Sequence, residues 1–317
     1  MPRVRSNDPA ELLDLARAGG RPALARLLSL VESGGEAAHA VGRLAHPLGG
    51  QAATIGITGA PGAGKSTLTN ALLREVRADG TKVAVLAIDP SSPFTGGAIL
   101  GDRVRMGDHA LDEGVFIRSM ATRGHLGGLS LAAPEAIRLL DAVGFPWVLI
   151  ETVGVGQVEV EVAGATDTRV VVVNPGWGDA VQANKAGLME IADVFVINKA
   201  DRPGVADTRR DLEQMLELSS PSSWRPPIIA TTAATGEGVN ELWRAVGDHR
   251  AHLEATGELA ERRRDRLADE LERILVERLV VRAREIAGAP AFAAAEAEVA
   301  DRRLDPYSAV DRLLADG

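Results

Sequence analysis

Short, unbroken apolar runs alternate with helix-length segments through the middle of the chain. The runs lie at residues 54–58, 82–88, 115–119, 147–150, 169–174, 194–198 and 227–231. A strand that is buried on both faces of a parallel sheet shows no polar alternation, and helices connect such strands. The pattern therefore predicts an α/β fold with a mostly parallel sheet that helices cover on both faces.

The pattern changes at both ends of the chain, where apolar residues recur at helical spacing. The first stretch predicts short amphipathic helices, with Asp8 and Pro9 as a start signal. We therefore expect three parts, which are an N-terminal helical extension at 1–48, a central sheet domain at 49–255 and a helical arm at 256–317.

The C-terminal arm begins with one long predicted helix that Gly288 and Pro290 end, and Asp305 with Pro306 starts a last short helix. The long helix carries an apolar stripe with a spacing of four residues, which needs a partner surface. The stripe consists of Leu271, Leu275 and Leu279. The basic run at 262–266 is followed by acids, which is typical of a solvated helical face.

Composition excludes several classes of partner. The 317 residues include 35 Lys and Arg against 44 Asp and Glu, so the formal net charge is −9. This charge disfavours binding to nucleic acid or to an anionic membrane. The absence of cysteine excludes disulfides and thiolate metal sites. Because no signal peptide or membrane-length apolar run is present, we expect a cytoplasmic protein with no nucleic-acid or membrane partner.

The strongest chemical signal is the segment GAPGAGKS, which fits G-x-x-x-x-G-K-[ST] between a predicted strand and a helix. Its glycines let backbone N–H groups surround phosphate oxygens at the helix N-terminus. Lys65 would place a cation on the β- and γ-phosphates, and Ser66 would ligate Mg²⁺. The predicted phosphate-binding residues are Gly59, Ala60, Pro61, Gly62, Ala63, Gly64, Lys65, Ser66 and Thr67.

A second motif, N-K-A-D at 198–201, ends another predicted strand and indicates guanine. Asp201 would accept hydrogen bonds from guanine N1–H and N2–H₂, which adenine lacks, so the motif favours GTP over ATP. The segment TTAATGEG would bring the N–H of Ala233 to guanine O6. The predicted base-binding residues are Asn198, Lys199, Asp201, Thr232, Ala233 and Ala234.

Three acids complete the predicted site. Asp89 ends the strand after the P-loop helix, Asp102 lies in a glycine-flanked loop, and Glu151 ends the strand WVLI. Mg²⁺ prefers oxygen ligands and keeps several waters, so we expect these acids to share metal binding and water positioning. The extra methylene of Glu151 favours a contact through water. Lys65 and the three acids are the predicted catalytic residues.

Several long segments resemble the MeaB group of GTPases that accompany adenosylcobalamin-dependent acyl-CoA mutases. They are GAPGAGKSTL, DPSSPFTGGAILGDRVRM, SMATRGHLGG, ETVGVGQVE, KAGLMEIADVFVINKAD and DPYSAVDRLL. The resemblance implies a SIMIBI-type P-loop G domain, Mg²⁺-dependent hydrolysis of GTP to GDP, and Mg²⁺-linked roles for Asp89, Asp102 and Glu151. It also implies a homodimer joined through the C-terminal arm, and a third switch with Asp179 and Lys185 as its polar pair. The implied function is to gate cobalamin loading of methylmalonyl-CoA mutase and to protect that enzyme.

Other functions stay open at the level of the sequence. Methylmalonyl-CoA mutase is the first candidate partner, and isobutyryl-CoA mutase or 2-hydroxyisobutyryl-CoA mutase is the alternative. A nickel-insertion GTPase normally carries a Cys or His relay, whereas this chain has no cysteine and six scattered histidines. A small-molecule kinase needs a second substrate pocket with a general base. Arg105 could act as an arginine finger in hydrolysis, but a surface ion pair explains it equally well. Gln157 lies three residues beyond Gly154 and not immediately after it, so we do not expect it to position water as in Ras-like proteins.

Overall fold

The computed structural model describes residues 7–90, 109, 111–122, 128–152, 164–176, 191–218 and 223–315. The backbone of Asp89 belongs to this part of the chain, but its side chain does not. Two compact units form, Met1–Arg263 and Arg264–Gly317. The predicted α/β class is confirmed by the first unit.

A seven-stranded sheet in which every pairing is parallel forms the centre of the first unit. Its strands are β1 Ala53–Gly59, β2 Val83–Pro90, β3 Val115–Thr122, β4 Trp147–Thr152, β5 Thr168–Val173, β6 Val194–Asn198 and β7 Ile228–Thr231. The order is β3-β2-β4-β1-β5-β6-β7. All seven apolar runs of the sequence form strands, and β1 is the central one.

Helices cover both faces of this sheet. They are α1 Pro9–Arg17, α2 Arg21–Ser33, α3 Gly35–Ala45, α4 Lys65–Arg77, α5 Gly128–Val143, α6 Val205–Leu218 and α7 Val239–Thr256. Alternate residues of one strand enter different cores: in β2, Val83 and Val85 pack with α4 and α7, while Ala84 and Leu86 pack with α1, α2, α3 and α5. This burial on both faces explains the unbroken apolar runs.

The N-terminal helices share a core with the sheet. Leu12, Leu27 and Leu28 are fully buried in one cluster with Phe116 of β3 and Ile150 of β4. The predicted start of α1 is confirmed, because the Asp8 carboxylate accepts a hydrogen bond of 3.1 Å from the N–H of Ala10. The extension is therefore packed as part of the first unit.

The long helix α8, Glu258–Ala287, begins in the first unit and runs into the second. The second unit also contains α9 Ala289–Ala300 and α10 Pro306–Ala315. The stripe leucines of α8 are 53% to 68% exposed. Helix α10 has the predicted Asp305 cap, whose carboxylate accepts a hydrogen bond of 3.0 Å from the N–H of Ser308. Within the described residues, no helix is long and apolar enough to cross a membrane.

Candidate functional site

The phosphate loop connects the central strand β1 to α4. Gly59 has φ +139°, and a Cβ there would lie 2.1 Å from the carbonyl oxygen of Val172 on β5, so only glycine fits. Gly64, with φ +91°, occupies the N-cap of α4 and has no side chain to cover the first N–H groups of that helix. The loop therefore presents a helix N-terminus of the kind that binds phosphate.

Lys65, the first residue of α4, is turned back over the phosphate loop. Its Nζ donates to the carbonyl oxygens of Gly59 at 2.8 Å and Ala60 at 3.0 Å, and the residue is 5% exposed. These two bonds hold the ammonium group within the loop, which places a positive charge beside the N-terminus of α4.

Ser66 and Glu151 lie in direct contact beside this loop. The Ser66 hydroxyl donates to Glu151 Oε1 at 2.5 Å, and the two residues are 8% and 3% exposed. Strand β4 lies next to β1, with Glu151 opposite Ile57 in the register, so the carboxylate comes from the strand end adjacent to the loop. The contact joins the hydroxyl and the carboxylate that the sequence predicts as metal ligands.

The other two predicted acids can be placed only in part. Ala87 of β2 pairs with Glu151, so Asp89 lies two residues further toward the same edge of the sheet. Asp102 lies outside the described residues. Among the residues that the structure describes, no group of three His, Asp or Glu side chains is arranged to hold a metal. The shared cluster of three acids stays a prediction.

The N-K-A-D segment begins at Asn198, the last residue of β6, at the same edge of the sheet. The buried Asn198 donates from Nδ2 to the Ala63 carbonyl oxygen at 2.8 Å, and the Lys199 Nζ donates to the Gly62 carbonyl oxygen at 2.6 Å. Both bonds reach the phosphate loop. Asp201 is exposed, so its carboxylate is accessible as an acceptor, and the desolvation needed for base discrimination would have to come from the nucleotide itself.

The loop after β7 completes this edge. Thr232 N–H donates to the Glu237 carbonyl oxygen at 3.0 Å and closes the loop, leaving Ala234 exposed at its turn. The N–H of Ala233 donates to Asn198 Oδ1 at 3.1 Å. A bond from this N–H to guanine O6 would have to share or replace that contact, and it stays a prediction.

The predicted site residues thus meet at the carboxyl edge of the sheet wherever the structure describes them. This applies to the phosphate loop from Gly59 to Thr67, to Glu151, and to the segments that begin at Asn198 and Thr232. The predicted switch pair Asp179 and Lys185 lies outside the described residues, as do Arg105 and Gln157.

One sequence interpretation is wrong. The basic run at 262–266 was expected to form a solvated face, but its first two residues make ion pairs at the opposite edge of the sheet. Arg262 Nη1 lies 3.1 Å from Asp193 Oδ1, and Arg263 Nη2 lies 2.6 Å from Asp167 Oδ2. Both carboxylates are nearly buried. Charge along one sequence does not reveal a partner that lies far away in the chain, so no signal predicted these pairs.

The Asp193 carboxylate has an altered acidity. Burial by itself would raise its pKa, but contacts with His249 and Arg169 outweigh that effect and hold the pKa of Asp193 well below its usual range. The carboxylate is therefore ionised throughout the range in which proteins normally work.

A parallel sheet with a phosphate loop after its central strand and an N-K-A-D loop bonded to it defines a P-loop GTPase. The family model described as "Methylmalonyl Co-A mutase-associated GTPase MeaB" matches residues 24–287. The chain belongs to this MeaB family, and its activity is the hydrolysis of GTP to GDP.

Known relatives extend over most of the chain. A Pyrococcus horikoshii protein named as a GTPase is 49% identical over 308 residues, which cover 96% of each chain. The GTPase ArgK of Escherichia coli is 42% identical over 79% of this chain and 78% of its own. The mouse protein "Methylmalonic aciduria type A homolog, mitochondrial" is 40% identical over 66% of this chain and 52% of its own.

A solved structure agrees with this family assignment. The crystal structure of a LAO/AO transport system kinase superposes with a TM-score of 0.73 at 30% identity and covers 98% of both chains. The predicted resemblance to the MeaB group is confirmed by the family match.

Proposed function

We propose that this protein is a Mg²⁺-dependent GTPase that gates adenosylcobalamin loading of an acyl-CoA mutase and protects that enzyme, with methylmalonyl-CoA mutase as the first candidate partner. The family description names methylmalonyl-CoA mutase, and a relative is named for methylmalonic aciduria. The observation that carries the hydrolytic part is the 2.5 Å contact between Ser66 and Glu151 beside the phosphate loop.

The residues present fit Mg²⁺. Ser66 and Glu151 are both oxygen donors, they are buried side by side, and they stand at a helix N-terminus built for phosphate. Asp89 approaches along the neighbouring strand, and Asp102 is the fourth proposed ligand. Mg²⁺ would neutralise charge that develops on the phosphates. Because Glu151 accepts a hydrogen bond from the Ser66 hydroxyl, Ser66 would ligate the metal directly and Glu151 would contact it through water.

The chain's own groups have distinct tasks in this proposal. The backbone N–H groups of the loop and the first turn of α4 bind phosphate oxygens. Lys65, which two loop carbonyl oxygens already hold, exchanges those contacts for the β- and γ-phosphates and stabilises the leaving charge. Glu151 and the two aspartates orient water near the γ-phosphate. Asp201 selects guanine.

Glu151→Gln tests the metal assignment. The amide keeps the shape of the carboxylate but loses its charge, so Mg²⁺-dependent hydrolysis should fall by about a hundredfold while GDP binding in EDTA stays near wild type. Glu75→Gln is the matched control, because Glu75 lies on α4 and bonds Asn240 away from the loop. A wild-type hydrolysis rate in Glu151→Gln would show that the metal is held elsewhere.

Asp201→Asn tests the base assignment. Wild type should bind GDP far more tightly than ADP, and the variant should lose that preference because the amide cannot accept both guanine donors. Calorimetric titration of both nucleotides decides the question. Equal wild-type affinities for GDP and ADP would remove Asp201 from the proposed site.

The partner requires a separate experiment. Affinity capture from cells grown with cobalamin, followed by mass spectrometry, should recover an acyl-CoA mutase, and its identity would separate methylmalonyl-CoA mutase from the isobutyryl-CoA and 2-hydroxyisobutyryl-CoA enzymes. Asp179→Ala and Lys185→Ala should leave intrinsic hydrolysis intact yet reduce its acceleration by that mutase. Stimulation equal to wild type in both variants would exclude this segment as the coupling element.

The proposal includes a homodimer in the cytoplasm. The exposed leucines of α8 supply an apolar stripe that a second copy would cover in a symmetric contact. Leu271→Glu with Leu275→Glu should halve the mass in light scattering, whereas changing the exposed Leu111 to Glu should not. An unchanged mass would contradict the assignment of the arm.

A further inference from the structure

A buried ionic network surrounds Asp193 at the sheet edge opposite the phosphate loop, and no step of the proposed hydrolysis uses it. Arg169 donates to Asp193 Oδ2 from both Nε and its backbone N, each at 2.8 Å. Arg262 Nη1 donates to Oδ1 at 3.1 Å, and His249 Nε2 lies 3.3 Å from the same oxygen. One carboxylate thereby joins β5, α7 and the first turns of α8.

The residue types in this network include those of a catalytic triad. Thr168 Oγ1 lies 2.9 Å from His249 Nδ1, and Asp193 lies on the other side of the imidazole. Thr168 is 2% exposed and His249 is 0% exposed, so a substrate cannot reach the hydroxyl. A nucleophilic role is excluded, and the network acts on the position of the elements that it joins.

Strand β6 connects this network to the predicted base-binding loop. Asp193 immediately precedes β6, whose five residues are all buried and which ends at Asn198. Such a strand spans about 17 Å. At its far end, Asn198 and Lys199 donate to carbonyl oxygens of the phosphate loop. Because β6 pairs with β5 and β7 on its two sides, it moves as a stiff element, and its position at one end fixes its position at the other.

We propose that Arg262 is a positioning residue for the guanine nucleotide, acting through Asp193 and β6 on the N-K-A-D loop. The inference rests on the proposed function in placing guanine at Asn198 to Asp201. Without Arg262, the Asp193 carboxylate, which is 5% exposed, loses one of the two guanidinium partners found among the described residues and is drawn toward water. This shift displaces the start of β6. Binding linkage then requires nucleotide affinity and the Arg262 contact to strengthen each other.

Arg262→Gln tests this coupling by calorimetry with GDP and ADP. GDP should bind about fivefold or more weakly, the lower end of typical coupling between sites, and the preference for GDP over ADP should fall. A purely structural role would reduce both affinities alike, because the phosphate loop serves both nucleotides. Arg262→Lys keeps the charge and should recover most of the affinity. Arg250→Gln is the matched control, because Arg250 on α7 pairs with Glu254 and stacks on Trp147.

Trp224 provides a second measurement that leaves Arg262 unchanged. Its indole N–H donates to the Asp193 carbonyl oxygen at 2.8 Å, and its ring packs on His249. GDP binding should therefore change the Trp224 fluorescence, obtained as the difference between wild type and Trp224→Phe. This measurement decides the question even if Arg262→Gln does not fold.

Two results would overturn this inference while leaving the proposed function intact. One is wild-type GDP affinity and discrimination in Arg262→Gln, and the other is a Trp224 signal that is identical with and without GDP. An equal loss in Arg250→Gln would also overturn it, because general destabilisation would then explain the effect. If wild type itself does not prefer GDP over ADP, the base-binding assignment and this inference fail together.

Discussion

Two truncations, one at the end of α7 and one within α8, separate the residues that hold the GTPase unit together from the rest of the C-terminal arm. A chain that ends at Thr256 follows the sequence-based boundary but loses Arg262 and Arg263. Arg263 donates to Asp167 Oδ2 at 2.6 Å and to the carbonyl oxygens of Gly50 and Ala52, whereas a chain that ends at Leu267 keeps these bonds. The two truncated chains differ by residues 257–267, which are Gly257 and the first turns of α8, including both arginines.

The expected difference in stability follows from the burial of the ion pairs. Removing one partner of a buried pair costs about 3–5 kcal/mol, but Arg262 and Arg263 are 27% and 25% exposed, which lowers the cost to about 2 kcal/mol each. The sum of about 4 kcal/mol corresponds to a decrease in Tm of about 8–16 °C for a unit of this size.

Thermal unfolding of both truncated chains, followed by circular dichroism in one buffer without nucleotide, measures this decrease. In the full chain, Arg263→Gln should lower the Tm, whereas Arg264→Gln should not, because Arg264 is exposed and adjacent on the same helix. Melting temperatures of the two truncated chains within about 3 °C of each other would refute the reasoning and favour a domain boundary near residue 255.

Two further predictions concern single positions. Gly59→Ala should prevent stable folding, because the new Cβ would clash with the Val172 carbonyl oxygen. Gly62 has φ +74° and open space around it, so Gly62→Ala should lower the free energy of unfolding in urea by only about 1–2 kcal/mol. Similar losses in the two variants would contradict this account. Folding lowers the pKa of Asp193. The carboxylate therefore makes its full contribution to the free energy of unfolding above the unfolded pKa of about 3.9, and that contribution is lost as the pH falls toward the folded pKa. The stability difference between wild type and Asp193→Asn, from urea unfolding, should therefore be constant from pH 6 to 8 and shrink below about pH 4; a difference that grows in acid would contradict the assignment.

The strands were predictable because each strand of a parallel sheet that is buried on both faces is an unbroken run of apolar residues in the sequence. The phosphate loop was predictable because its chemistry requires fixed residue types at fixed spacing. Caps such as Asp8 and Asp305 were predictable for a similar reason, since the cap and its N–H partner lie two or three residues apart.

Long-range pairing was not predictable. Arg262 and Arg263 bind carboxylates 69 and 96 residues away, and nothing in their local sequence distinguishes them from exposed neighbours such as Arg264. Helix α9 was also missed, because Pro290 was interpreted only as the end of α8. Proline is also common in the first turn of a helix, because the N–H groups there have no intrahelical acceptor and the missing N–H costs no hydrogen bond.

The packing of the N-terminal helices determines the order in which the chain can fold during synthesis. Leu12, Leu27 and Leu28 leave the ribosome before Phe116 and Ile150, which belong to the core that buries them. More than a hundred residues must therefore be translated before these leucines find their final neighbours. The separation in sequence makes this contact slow to form, and the exposed leucines of the nascent chain are a natural target for chaperones during that interval.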